Sequence, residues 1–417
     1  MKKTNFTNVS QLSHTLSSVN IQEMLMSRAK NAVLATAIEL MEQDMELLCG
    51  KPFARKRDAD LCHRGGSELT SLMVDGAKHS IRKPRARKDG EEIELPSLLK
   101  MRDRELLDSQ MLSRIVRGVS TRNYSSVING FSEKTGVSKS SVSRAFKRAS
   151  KKDLDAINGA DLSEFKFVAI LIDGTGVGET TQVVAIGITD DNQKIPLGLI
   201  EGTTENGTVV KDLLSSIIGR GFTLSARRLL AVLDGGKALR HAVKVVWGDA
   251  CLIQRCWLHK LRNIQDYIPE TNHGQLWQRM KKMMGLNSKA AAEKEFEALA
   301  NWLSTISQDA EKSLREAGQE LLTVHELGLV GEFRNSLSST NIIESLIGIA
   351  KAKMKNVKNW NYHPKLKNKI PRDKALRWTA MAIQSHRNKM RRLRGGKGQI
   401  NTLINKLNEL DSLKQAA

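Results

Sequence analysis

Apolar and polar positions follow three rhythms along this 417-residue chain. From Ile21, the residues Leu25, Ala29, Ala32, Val33, Leu40 and Leu47 mark one apolar face, which predicts a helical segment within residues 1–50. Residues 51–96 lose that period and are rich in Arg, Lys, Gly and Pro. They read as a basic arm on a polyanion or as a plain linker, with short strands expected around Glu68–Val74 and Glu91–Leu95. Residues 97–160 return to helix and contain a helix-turn-helix pattern. Tyr124–Glu133 turns Val127, Ile128 and Phe131 inward, and Thr135, Gly136 and Val137 form a short turn. Ser138 caps a second helix, Lys139–Arg148, with Val142 and Phe146 inward. An ordinary helical hairpin would carry the same pattern.

From Phe165 the rhythm becomes that of strands. Phe167–Ile172 is an unbroken apolar run and predicts a central strand. Gln182–Thr189 and Lys194–Glu201 follow at hairpin spacing, so the three read as an antiparallel meander. A helix over Thr208–Arg220 closed by Gly221, a strand over Arg228–Leu233, a helix over Lys237–Trp247 and a strand over Ala250–Gln254 complete the run. Three meander strands followed by alternating helix and strand match an α/β fold of the RNase H-like type. Residues 161–256 would form its first part. Residues 257–335 read as a helical insertion, with Trp277, Phe296, Leu299 and Trp302 in its core. The core would resume over 336–360 with a helix at Asn341–Met354, capped by Thr340 or Asn341. Residues 361–417 are basic and helical, interrupted by Pro364, Pro371, Gly395 and Gly396.

Charge narrows the choice of partner. The formal charge is +21, which favours nucleic acid. From Ser345 to Ala417 there are 18 Lys and Arg against 3 Asp and Glu, an excess of +15. A balanced solvated face would interleave both signs. Lys139, Ser140, Arg144 and Lys147 on the second helix of the pattern, Arg262, and Lys351, Lys355, Lys358, Arg377, Arg391, Arg392 and Arg394 near the C-terminus are the candidate DNA contacts. The four cysteines form no disulfide framework, and no run approaches the roughly 18 apolar residues of a membrane span. The N-terminus lacks the apolar core of a signal peptide. A soluble cytoplasmic protein, on the nucleoid when bound to DNA, is therefore expected.

Three carboxylates carry the candidate chemistry. Asp173 and Asp234 each end an apolar strand, and Glu344 lies in the first turn of a predicted helix. Each alone has an ordinary structural explanation as a turn or helix-end residue. In this order and on these elements they could hold two Mg2+ ions, with Mn2+ able to substitute. Such a pair activates an oxygen nucleophile and stabilises the departing 3′ oxygen of a phosphodiester. Gly174, Gly235 and Gly236 would leave room there for DNA or metal-bound water. Gly174, Gly176 and Gly178 lack dinucleotide-loop spacing, and Gly235, Gly236 and Lys237 lack the upstream glycine of a P-loop, so no nucleotide cofactor is expected. Cys256 and His259 have the spacing of half a zinc site, with Cys251, His241 and His273 nearest to complete it. The alternative is a place beside the active site.

These stretches together resemble the Mutator-type DDE transposases of bacterial insertion sequences. The likeness is carried by Leu171–Thr175, Gly198–Asn206, Val232–Leu239, Gln254–Asn263 and Ser339–Glu344, with Lys355–Trp360 and Lys374–Trp378. It runs from about Thr121 to Arg394, with Asn361–Ile370 departing from the pattern. The resemblance implies an RNase H-like core with a helical insertion and Asp173, Asp234 and Glu344 as the catalytic triad. It implies Mg2+-dependent cleavage at terminal inverted repeats and joining of the 3′-OH to target DNA. It places Cys256 and His259 on the family's Cys-x-x-His signature. Holding two DNA ends together predicts a homodimer or larger assembly. The alternatives are a non-catalytic DNA-binding regulator derived from such an enzyme and an RNase H-like nuclease without strand transfer.

Overall fold

The structure is a computed structural model that describes residues 21–52, 62–74, 77–102, 139–177, 180–355, 357, 360 and 373–409. The fold is mixed α/β and divides into two units, residues 1–149 and 150–417. Among the described residues no helix is long and apolar enough to cross a membrane.

The first unit pairs a long helix, α1 (Ile21–Cys49), with an antiparallel sheet of β1 (His63–Val74), β2 (Ala77–Lys88) and β3 (Glu91–Ile93), followed by α2 (Pro96–Met101). The helix buries Ala37, Met41, Met45 and Cys49, a four-residue spacing, against Leu72, Val74, Ile81 and Ala86 of the sheet. The face expected from sequence is the other one: Val33, Leu40 and Leu47 are exposed. Of the segment read as an arm or linker, His63–Val74, Ala77–Lys88 and Glu91–Ile93 are strands. Its basic run lies in β2, where Lys83 and Arg85 pair with Glu68 and Glu92 on the flanking strands at 2.6–3.8 Å. The turn into β3 is Asp89 (φ 53°) and Gly90 (φ 86°), the residues that a tight hairpin turn selects.

Helix α3 (Lys139–Asn158) spans the division between the units. It runs past the expected end at Arg148 because Leu154 and Ile157 continue its buried face. The proposed partner helix, Tyr124–Glu133, and the turn before Ser138 lie outside the described residues.

The second unit is built on a sheet of order β6-β5-β4-β8-β9. Strands β4 (Lys166–Val177), β5 (Thr180–Thr189) and β6 (Lys194–Glu201) form the antiparallel meander. Strands β8 (Leu229–Leu233) and β9 (Cys251–Arg255) add in parallel to β4, and the short β7 (Thr223–Leu224) pairs with the start of β4. Side chains alternate between the two faces of a strand. On one face Ile170, Ile172, Ala231, Leu233 and Ile253 pack under α4 (Gly207–Gly219) and α5 (Lys237–Trp247). Asn158 ties α3 to β6 by exchanging hydrogen bonds with the Leu199 backbone, both at 2.9 Å.

The expected helical insertion consists of α6 (Trp257–Gln265), α7 (His273–Gly285), α8 (Lys289–Ser304), α9 (Gln308–Ala317), α10 (Thr323–Glu326) and α11 (Gly331–Leu337). Phe296 and Leu299 are buried in it as expected. Trp277 is not, being 41% exposed, with its ring against Trp257 at 5.3 Å between centroids. Helix α12 (Asn341–Met354) then packs on the second face of the sheet against β4 and β5, and α13 (Lys374–His386) on β6. Among the described residues the last element is α14 (Gly396–Glu409), kinked at Lys397 and Gly398.

Candidate functional site

The register of the sheet places the first two acids side by side. Ile172 of β4 is opposite Leu233 of the parallel strand β8, so Asp173 and Asp234 are the next positions in line. Both point away from the α4–α5 face, because their preceding neighbours Ile172 and Leu233 pack into it. Asp173 does not end its strand as expected. The apolar run stops at Ile172, but β4 stays paired with β5 through Val177. The carboxylate therefore emerges from the middle of a ladder and is only 3% exposed. Its Oδ1 is buried and accepts no hydrogen bond. Burial pushes the Asp173 carboxyl up to about 6, against the charge of His259 and hydrogen bonds from the Thr340 side chain and the Gly174 backbone, with the charge of Asp234 adding to it.

Asp234 is better satisfied. The Gly236 backbone N–H donates to its Oδ1 at 2.8 Å, and Thr204 Oγ1 donates to its Oδ2 at 3.1 Å. The glycines expected to leave room for DNA or water make room for protein instead. A Cβ on Gly174 would meet Thr204 Cγ2 at 3.1 Å, and one on Gly235 would meet the Arg255 guanidinium at 2.6 Å.

Glu344 comes from the first turn of α12. Thr340 stands at the N-cap of that helix, yet its side chain makes no capping hydrogen bond. Its hydroxyl turns instead to Cys256 Sγ at 3.5 Å and His259 Nδ1 at 3.4 Å. The Thr340 backbone N–H also donates to Cys256 Sγ, at 3.4 Å. Cys256 and His259 lie at the start of α6, so the Cys-x-x-His pair is locked to the entry of the glutamate helix. Burial pushes the Cys256 thiol up, but the hydrogen bond and charge of His259 outweigh it and leave the thiol below its ordinary value. The same hydrogen bond, with the charges of Cys256, Asp173 and Asp234, raises His259 to about 9 against the opposing effect of burial.

One donor atom each from Asp173, His259 and Glu344 lie within 4.8 Å of one another. His259 Nε2 is 3.9 Å from Glu344 Oε1, and Arg262 Nη1 donates to that same oxygen at 2.9 Å. Asp234 stands beside this trio, held by Thr204 and Gly236. Hard carboxylate oxygens, one of them buried and unpartnered, suit a divalent cation. The expected zinc partners are engaged elsewhere: Cys251 Sγ is on Leu252 O at 3.8 Å, and His273 Nε2 is within reach of Gln265 O and Ile268 O at 3.2 and 3.3 Å. His241 lines a separate cavity with Arg240 and Lys244.

The candidate DNA contacts fall into distinct classes. Arg262 joins the acid cluster through Glu344. Arg377 does not belong on the surface: it is 5% exposed, paired with Asp373 at 3.0 Å and donating to Ser150 Oγ at 3.0 Å. Arg391 and Arg394 line a groove of about 1090 Å3 that runs beside the first turns of α12, with Lys194, Lys389, Asn341 and Ser345. Arg394 faces Glu332 at 3.7 Å, and Arg392 pairs with Asp191 at 3.3 Å. Lys351 and Lys355 are exposed near the end of α12, and Arg144 and Lys147 are exposed on α3. Lys358 and the side chains of Lys139 and Ser140 lie outside the described residues, as does the departure at Asn361–Ile370.

Lys194 and Lys389 were missed by sequence reasoning. Lys194 is separated from the C-terminal basic segment by most of the second unit, and Lys389 lies inside that segment among cations of equal appearance.

Comparison with known proteins extends the likeness to the N-terminus. The family described as "Transposase, Mutator family" matches residues 1–363, including segments in which no motif was legible. The transposase for insertion sequence element IS1201 of Lactobacillus helveticus is 26% identical over 327 residues, covering 76% of this chain and 85% of that protein. The transposase for insertion sequence element ISRM5 of Rhizobium meliloti (strain 1021) is 25% identical over 343 residues, covering 79% and 83%. The transposase for insertion sequence element IS256 in transposon Tn4001 of Staphylococcus aureus is 26% identical over 357 residues, covering 81% and 88%. With the family matched from the first residue through the whole acid cluster, the chain belongs to the Mutator family of transposases.

Proposed function

We propose that this chain is a DDE transposase acting on the ends of its own insertion sequence, with Asp173, Asp234 and Glu344 as its catalytic acids. The observation that carries this reading is the convergence of Asp173 and Glu344, from two elements far apart in sequence, around a buried carboxylate oxygen without a partner. The sheet order β6-β5-β4-β8-β9, antiparallel through the meander and parallel after it, supports an RNase H-like core.

Asp173, Asp234 and Glu344 would hold two Mg2+ ions, which when bound activate the attacking oxygen and neutralise charge on the departing 3′ oxygen. The protein's own part is placement. The β4–β8 register sets the two aspartates level, and α12 brings a Glu344 oxygen within 4.8 Å of one from Asp173. Arg262 orients the Glu344 carboxylate. Arg391, Lys389 and Arg394 along the groove hold backbone phosphates of the strand being processed, and Lys351 and Lys355 extend that surface. Arg144 and Lys147 on α3 contribute to recognition of the terminal inverted repeats as part of a helix-turn-helix. A homodimer or larger assembly would hold both ends.

The test is a cleavage and joining assay on DNA ending in the repeats that flank the gene. Wild type in Mg2+ cleaves and joins; Glu344→Gln does neither while binding the DNA. Cleavage without joining would identify a nuclease, and binding without cleavage by wild type a regulator.

A further inference from the structure

The three acids leave one donor in the cluster unassigned. His259 Nε2 faces Glu344 Oε1 at 3.9 Å, and its donor atom lies within 4.8 Å of those of both Asp173 and Glu344. The other ring nitrogen, Nδ1, is 3.4 Å from Thr340 Oγ1. Cys256 Sγ, in turn, accepts from both the Thr340 hydroxyl and the Thr340 backbone N–H. The ring is thus anchored from behind, where α6 and α12 begin, and offers its second nitrogen to the carboxylates. A histidine fixed through one nitrogen with the other aimed at acid oxygens is how proteins orient a metal-binding imidazole. With bonds of 2.0–2.1 Å, ligands of one octahedral ion are about 3 Å apart when adjacent and about 4 Å apart when opposite, so a single ion would draw this cluster together by an ångström or so, roughly one side-chain adjustment.

We propose that His259, giving up its Nε2 proton to solvent as the cation enters and keeping the one on Nδ1, is a ligand through Nε2 of the cation held by Asp173 and Glu344, with Cys256 and Thr340 as its positioning residues. This rests on the reading that those carboxylates hold a divalent cation. It makes the two cation positions unequal. One is a centre of two carboxylates and one imidazole, to which Mn2+ is better suited than Mg2+. The other, at Asp234, is served by oxygen. It also assigns the Cys-x-x-His pair a role: His259 supplies the ligand, and Cys256 fixes the ring that supplies it.

The test uses the tag-free full chain, titrated calorimetrically with Mn2+ and with Mg2+, and pulsed EPR of the bound Mn2+. Wild type should bind Mn2+ at least about tenfold more tightly than Mg2+. His259→Ala should cut that preference to below about threefold, chiefly by weakening Mn2+. Cys256→Ala should weaken Mn2+ by about tenfold while the imidazole remains coordinated. In EPR, wild-type Mn2+ should show coupling to an imidazole nitrogen that disappears in His259→Ala. An unchanged preference in His259→Ala, while Glu344→Gln weakens both ions, would overturn the proposal but leave the carboxylate site standing. If Asp173→Asn and Glu344→Gln leave both affinities unchanged, the carboxylate site itself falls, and this proposal with it. Should His259→Ala fail to fold, absence of nitrogen coupling in wild type would be decisive against it.

Discussion

The segment Arg255–Lys260 feeds two charged clusters that are finished in opposite ways. Arg255 and Lys260, each 4% exposed, converge on Glu316 at 3.0 and 2.8 Å. Lys260 also donates to Ser313 O at 2.8 Å. The intervening Cys256 and His259 serve the acid cluster, where Asp173 Oδ1 has no partner. Burial acts on both carboxylates in the same direction. At Glu316 the hydrogen bonds from Arg255 and Lys260 outweigh it and hold the group at about 2, whereas at Asp173 it prevails and the group rises to about 6. The first cluster secures the insertion to the sheet. The second retains an unsatisfied oxygen, a feature that stability alone does not explain.

The largest effect expected from breaking this contrast is on catalysis. Asp173→Asn, Asp234→Asn and Glu344→Gln should each lower strand cleavage by at least about a hundredfold, the scale for losing one preorganised charge group. DNA affinity in a binding assay should stay within about threefold of wild type, since backbone affinity comes from cationic side chains and none is altered.

Glu316→Ala should act on stability instead. It removes the main partner of two buried cations, leaving Arg255 to Glu320 at 3.8 Å and Lys260 to Ser313 O, where breaking a fully enclosed pair costs about 3–5 kcal/mol. Solvent screening at the Glu316 side chain, which is 45% exposed, reduces the expectation to about 2 kcal/mol by chemical denaturation.

Acid titration separates the clusters by sign. The contribution of Glu316 is complete above the ordinary carboxylate range and is lost as pH falls towards about 2. Asp173 is the reverse: its folded-state value is raised, so its contribution is present at low pH and is lost as pH rises through about 6. In chelator, the stability gap between wild type and Glu316→Gln should shrink on acidification. Asp173→Asn should gain on wild type as pH rises from about 4 to 6. Parallel curves for the two variants would remove the distinction.

The smallest expected effect separates surface from buried arginines. Arg391→Ala should reduce the slope of log affinity against log salt by about one, as for one lost phosphate contact. Arg377→Ala should lower stability and leave that slope unchanged, because its guanidinium is enclosed with Asp373 and Ser150.

Legibility in the sequence followed how far each element is specified by its own residues. The strand Lys194–Glu201 and the helices Lys237–Trp247 and Asn341–Met354 have the bounds expected of them, because apolar runs and turn residues mark both ends. The three acids could be picked out by their place at the end of apolar runs or in a first helical turn. What placed His259 and Thr340 among them was hydrogen bonding between the entries of α6 and α12, 81 positions apart in sequence. Strand β2 was hidden because its buried apolar residues, Ile81 and Ala86, are outnumbered by cations, two of which, Lys83 and Arg85, pair with Glu68 and Glu92 on the flanking strands. The Asp89–Gly90 turn was the available signal for it. On α1 the exposed valine and leucines suggested a face by their hydrophobicity, while smaller and more adaptable residues, Ala37, Met41, Met45 and Cys49, make the contact.

The central claim is that Asp173 is buried with its Oδ1 left unpartnered for the sake of chemistry. The most direct measurement is cleavage of element-end DNA by Asp173→Asn, with its melting temperature and DNA affinity taken on the same preparation. The account predicts lost cleavage with retained DNA binding and a melting temperature equal to or above that of wild type. Near wild-type cleavage by this variant would contradict it.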